Sequence, residues 1–148
     1  MSTTLTEQGT ASDVGAAGGA MPAVYAVVRI AAGLLFMEHG AQKLFGWLGG
    51  MGQPGATAEL FSMMGLAGVL EFFGGLLIVL GLLTRPVAVV LVLEMLAAYA
   101  MGHMRQALFP VQNGGELALL YASIFALFAA TGAGPASVDG ALARRKRI

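Results

Sequence analysis

The chain contains no cysteine, which excludes disulfides, thiolate metal sites and a cysteine nucleophile and leaves its redox compartment open. Charge is scarce too, since Asp, Glu, Lys and Arg make up only 11% of the 148 residues. Residues 1–20 carry Glu7 and Asp13 but no Lys or Arg, so the basic region of a signal peptide is missing there. What is present instead is apolar: 57% hydrophobic residues and a mean hydropathy of +0.79. A soluble core of this size does not need so much apolar surface. Lipid as solvent does, provided that segments of about 20 apolar residues close their own backbone hydrogen bonds.

Such segments fall at about 22–47, 63–83, 86–104 and 116–131. They predict an all-α integral membrane protein, a four-transmembrane-helix antiparallel bundle within residues 21–132. Pro22 suits a helix start and Trp47 an interfacial anchor, and the stretch Gly49 to Gly55 breaks the first helix. Thr84-Arg85-Pro86 implies a short turn, and Arg105 to Gly115, with Pro110 and Asn113, implies a loop. Residues 1–20, rich in Ser, Thr, Gly and Ala, read as a disordered tail, and 133–148 as a basic cytoplasmic tail.

Arg144, Arg145, Lys146 and Arg147 crowd the last residues, a pattern that suits an anionic-lipid or cytoplasmic anchor. Without aromatic interleaving or a matching fold, it does not suggest a nucleic-acid partner. Together with Arg85 these cations outnumber Lys43 and Arg105 at the other ends of the spans. Both termini are therefore expected in the cytoplasm, on an inner membrane.

Against this background each apolar segment holds one acid: Glu38, Glu71, Glu94 and Glu116. A carboxylate at mid-membrane costs roughly 2.5–3.5 kcal/mol on insertion scales, so such residues are expected to be neutral, paired or turned to a shared interior. At 1.5 Å of rise per residue, Glu38 lies about 13 Å from Trp47, Glu71 about 12 Å from Met63 and Glu94 about 15 Å from Met104. Three acids thus share one level, and Glu116 sits near the outer mouth. Helical spacing puts Glu38, His39, Gln42, Lys43 and Arg29 on an interior half of the first span. Ile30, Leu34, Met37, Ala41, Leu44 and Leu48 are left for lipid. In the second span Glu71 shares a face with Gly68, Gly74, Gly75 and Ile78, opposite Leu66, Val69, Phe73, Leu76 and Leu80. Small residues at that spacing let helices approach closely in lipid, or let copies of the chain associate.

Metal chemistry fits poorly. A di-iron site needs Glu-x-x-His pairs, but Glu38 and His39 are adjacent and Glu94 and His103 lie nine apart. A haem between His39 and His103 needs both rings at one depth, and they are not. The parts suit better an interior polar pocket, open away from the cytoplasm, that holds a polar-headed lipophile such as a quinone or relays protons. A purely structural polar network, a non-catalytic scaffold that docks partner enzymes, and an oligomeric carrier for protons or a small solute are the competing classes.

Arg29, the run Phe36-Met37-Glu38-His39-Gly40-Ala41-Gln42-Lys43, then Glu71-Phe72-Phe73-Gly74-Gly75, Gly81-Leu82-Leu83-Thr84-Arg85 and Gly114-Gly115-Glu116-Leu117-Ala118-Leu119-Leu120 occur in an order that resembles the DoxX family of small four-helix membrane proteins. The resemblance extends from residue 22 to about 143, including a glycine-rich segment from Gly132 that ends at Asp139. It implies a bacterial or archaeal cytoplasmic-membrane protein whose relatives are linked to thiosulfate:quinone oxidoreductase, terminal quinol oxidase assemblies and oxidative-stress complexes. The resemblance leaves two readings open: a membrane subunit of a quinone-dependent oxidoreductase, with redox enzymes as partners and quinone as the cofactor, and a non-catalytic scaffold that docks partner enzymes. The matching positions for any shared function are Arg29, His39, Lys43, Glu71, His103 and Glu116. Glu38 and Glu94 complete the candidate set.

Overall fold

A computed structural model describes residues 8–146. Its elements are α1 (Gln8–Phe45), α2 (Met63–Leu80), α3 (Thr84–His103), a single turn α4 (Pro110–Asn113), α5 (Glu116–Thr131) and α6 (Val138–Arg145), with no strand among the described residues. Three helices are long and apolar enough to cross a bilayer: Gly19–Phe45, Met63–Leu80 and Thr84–His103. The fourth, α5, is apolar but has 16 residues, a rise of about 24 Å.

The first helix differs from expectation at both ends. It begins at Gln8, so that residues 8–20 are helical rather than a disordered tail, and residues 1–7 lie outside the described part. Ala11, Ala16, Ala17 and Ala20 favour helix, and Pro22, inside α1, leaves the Gly18 carbonyl without its donor and crowds it with the ring. At the other end α1 stops at Phe45, which puts Trp47 in the loop, exposed.

Helix α2 packs along α1, and α3 along α5. The first contact is made backbone to backbone. A Cβ built at Gly33 would come within 2.8 Å of the Gly75 carbonyl, and one at Gly75 within 2.7 Å of the Gly33 carbonyl. With no hydrophobic drive between helices in lipid, this close packing is what holds them. The buried face of α2 runs through Gly68, Glu71, Gly74, Gly75 and Ile78, while Leu66, Phe73, Leu76 and Leu80 face outward, as the spacing predicted. Between α1 and α5 the distance is filled by rings: Phe36 on Phe125 at 4.8 Å, Phe36 on Tyr121 at 5.0 Å and Tyr25 on Phe128 at 5.7 Å.

One end of the bundle is tied by polar bonds. Arg29, 1% exposed, donates from Nη1 to the Ile78 and Val79 carbonyls at 2.5 and 2.6 Å and from Nη2 to the Ala136 carbonyl at 2.8 Å. It thereby satisfies carbonyls at the C-terminal, electronegative end of α2. The turn into α3 passes through Gly81 (φ 65°) and Leu83 (φ 51°), both left-handed. A side-chain-bearing residue such as Leu83 holds that conformation only under constraint. The constraint is Asp139, whose carboxylate accepts from Leu83 N–H at 2.9 Å and Thr84 N–H at 3.0 Å while its own N–H donates to the Gly81 carbonyl. The segment after α5 is thus a folded clamp and not a free tail, because Asp139 caps a helix more than fifty residues upstream.

Replacing Gly33 by Val should lower the melting temperature of detergent-purified protein, by roughly 1–3 kcal/mol of overpacking. Gly19→Ala, where an added Cβ meets nothing within 4 Å, should leave it unchanged or slightly higher.

Candidate functional site

Lys43 on α1, Glu71 on α2 and Glu94 on α3 come together inside the bundle. The Lys43 ammonium lies 2.5 Å from Glu71 Oε2 and 2.6 Å from Oε1, with the two side chains only 14% and 6% exposed. Glu71 sits in a π-helical stretch, Leu70–Gly74, and His103 ends a second one, Tyr99–His103. Such turns insert one residue and re-aim a side chain, and they are frequent at functional sites. Glu94 lies within electrostatic reach of both Glu71 and Lys43. Both of its carboxyl oxygens are buried, and neither has a hydrogen-bond partner among the described residues. A carboxyl so placed either carries its own proton or awaits a partner, since a bare buried carboxylate is costly.

The other candidates do not join them. Glu38, expected inside, is exposed on the outer side of α1. The buried stripe of that helix runs Arg29, Ala32, Gly33, Phe36, Gly40, and Glu38, two residues beyond Phe36, points about 200° away. Ala41, expected toward lipid, is buried instead. His39 is half-buried and meets Tyr121 edge-on at 6.0 Å, facing α5. Arg29 is about 21 Å from Lys43 along α1, spent on the carbonyl clamp. At the opposite end His103 Nδ1 pairs with the Asn113 carbonyl at 2.9 Å, its ring stacked near Tyr99. Glu116 is exposed in the first turn of α5, where a negative charge complements the helix dipole.

Two residues outside the candidate set also matter. Asn113 is buried, donates to the Ala107 carbonyl at 2.9 Å and accepts from Gly115 N–H at 2.8 Å, which orders the loop into α5. Its place between Pro110 and the paired glycines marked a turn but not burial. Tyr121, buried among the rings, had no signal beyond its apolar surroundings.

A lipid-facing cleft of about 270 Å³ lies between α2 and α3, lined by apolar residues that include Leu70, Gly74, Val90 and Leu91. Leu70 precedes Glu71, Gly74 is three residues beyond it, and Val90 and Leu91 are one turn from Glu94. The cleft's lining thus neighbours Glu71 and Glu94 along their helices, and the acids themselves do not line it.

The DoxX family matches residues 8–104 of this chain. The chain belongs to the DoxX family. Its similar relatives include an "Uncharacterized protein" of Haemophilus influenzae, 39% identical over 122 residues that cover 80% of this chain and 90% of that protein. The "Inner membrane protein YphA" of Escherichia coli is 32% identical over 130 residues, covering 82% and 92%. The "Uncharacterized membrane protein Rv3486" of Mycobacterium tuberculosis is 31% identical over 141 residues, covering 80% of each. No solved structure matches the chain significantly. This DoxX-family chain is accordingly a multi-pass membrane protein, and the Lys43, Glu71 and Glu94 cluster lies within the matched segment.

Lys43→Met should destabilise the protein by roughly 3–5 kcal/mol, because it strands the Glu71 charge. Adding Glu71→Leu should recover much of that loss. Thermal unfolding of the two single variants and the double variant measures the coupling, and purely additive losses would show that the pair is not a unit.

Proposed function

We propose that this DoxX-family chain is a membrane subunit of a quinone-linked redox or oxidative-stress system, in which Lys43, Glu71 and Glu94 receive the polar head of a quinone-like lipophile and exchange protons with it. The observation that carries this proposal is the buried, unpartnered Glu94 carboxyl beside an ion pair. A quinone, when bound, carries electrons together with protons. Glu94 offers it a hydrogen-bonding partner that either holds or accepts a proton, and the Lys43 ammonium stabilises negative charge on either carboxyl. The apolar α2–α3 cleft, whose lining neighbours Glu71 and Glu94 along their helices, provides room for a lipid-like tail. Electrons come from, or go to, a partner redox enzyme.

Glu38, on the outer surface of α1, is assigned to the contact with that partner or with a second copy, since an ionisable group at mid-membrane is unfavourable against lipid. Arg85 and the cations at the C-terminal end, set against Lys43 and Arg105, orient the chain with both termini in the cytoplasm of an inner membrane.

Titrating detergent-purified protein with a short-tailed quinone, followed by the fluorescence of Trp47 and by melting temperature, tests the proposal. Wild type should bind saturably, and Glu94→Leu should bind about tenfold or more weakly, some 1.4 kcal/mol, with its fold intact. Absence of saturable binding in the wild type would favour the non-catalytic scaffold, and a proton or solute flux from proteoliposomes without quinone would favour the oligomeric carrier.

A further inference from the structure

We propose that a cleft at the opposite end of the bundle from the loop that holds Trp47 is a binding site for the phosphate of an anionic phospholipid headgroup, with Arg85 as its principal ligand. The cleft, of about 340 Å³, is lined by Leu83, Thr84, Arg85, Pro86, Gly132 and Asp139 and lies where the start of α3 meets the end of α5. Because α3 is a membrane-spanning helix that begins at Thr84, Arg85 stands at the level of the lipid headgroups.

Arg85 has no ion pair or hydrogen bond with any described residue, so its whole guanidinium fork is free to donate. Its side chain passes beside Gly132, where an added Cβ would sit 3.2 Å from Arg85 Nε. Its planar guanidinium suits bidentate donation to phosphate oxygens. A second donor is at hand. Thr84 is 0% exposed and its hydroxyl has no partner, although it lines the same cleft. The first N–H groups of α3 take no part, since Asp139 already accepts from Leu83 and Thr84. An anion is therefore held by side chains and not by the helix terminus.

The charge and shape around the cleft argue for a lipid and not a soluble anion. Arg144, Arg145 and Lys146 follow on or just beyond α6, where Arg144 Nη1 donates to the Pro135 carbonyl at 3.0 Å, and with Arg85 they outnumber the Asp139 carboxylate that lines the cleft. Each such cation near an anionic membrane contributes about 1 kcal/mol. One turn apart on the same helix, Val138 and Leu142 are 37% and 46% exposed, and Leu83 on the cleft's rim is 58% exposed. A short helix with basic residues beside an exposed apolar strip is built to lie in the membrane interface. Acyl chains would meet Leu83 and Val138 while the phosphate reaches Arg85.

Native mass spectrometry of the full chain from a neutral detergent, with phosphatidylglycerol, phosphatidylcholine and inorganic phosphate added separately, tests the site. Wild type should retain phosphatidylglycerol in preference to phosphatidylcholine, and inorganic phosphate should not displace it. Arg85→Gln should weaken retention about tenfold without changing the melting temperature in the absence of lipid, since Arg85 bonds nothing in the fold. Arg85→Lys, which keeps the charge and loses the fork, should retain the preference at reduced strength. The combined Arg144→Gln, Arg145→Gln, Lys146→Gln variant should lose the salt-sensitive part of binding and keep its dependence on Arg85. Equal retention by wild type and Arg85→Gln, equal retention of the two lipids, or displacement by inorganic phosphate would each overturn the proposal.

Discussion

Lys43 can reach Glu71 because almost nothing stands between α1 and α2. Gly33 and Gly75 face each other across that contact, Gly40 lies against the backbone of Phe72, and Gly68 lies against Lys43 and Leu44. In lipid the hydrophobic effect does not press helices together, so close van der Waals packing along small residues must do it. That packing fixes the separation at which an ammonium and a carboxylate meet with both side chains largely hidden. The ion pair is then less a source of stability than a consequence of the glycine contact. It places charge within electrostatic reach of Glu94, which α3 brings to the same interior.

The two ends of the bundle are built differently, and the difference suits different tasks. At one end Arg29 and Asp139 join α1, α2, α3 and the segment after α5 through bonds to main-chain atoms, which makes that end a rigid clamp. In the middle, the α1–α5 gap is closed by side-chain rings and not by backbone contact. Of the two π-helical stretches, the one on α2 carries Glu71 itself and the one on α3 lies beyond Glu94 and ends at His103. Local rearrangement is easier there, where helical hydrogen bonding is already irregular.

Much of this was legible in the chain. Helical spans, the interior face of α2 and the meeting of Glu71 with Glu94 follow from hydropathy and from the spacing of glycine and acid along one stripe. Glu38 was misplaced for a physical reason: polarity suggests which residues dislike lipid, but the face that packs is chosen by shape. On α1 the glycines and Phe36 set that face, and Glu38 fell on the other side. The π turns, which shift the periodicity by a residue, leave no mark in composition. Nor does Asp139, whose partners at Leu83 and Thr84 are set by tertiary contact alone.

On the proposed function, the interior acids and the α2–α3 cleft form one site for a polar-headed lipophile. Photolabelling of the purified protein with a photoreactive quinone, mapped by peptide mass spectrometry and competed with unlabelled quinone, tests this most directly. Competed label on the stretches around Leu70, Gly74 and Leu91 is the predicted result. Label confined to the α1–α5 seam, or spread over all helices and unaffected by competitor, would contradict it.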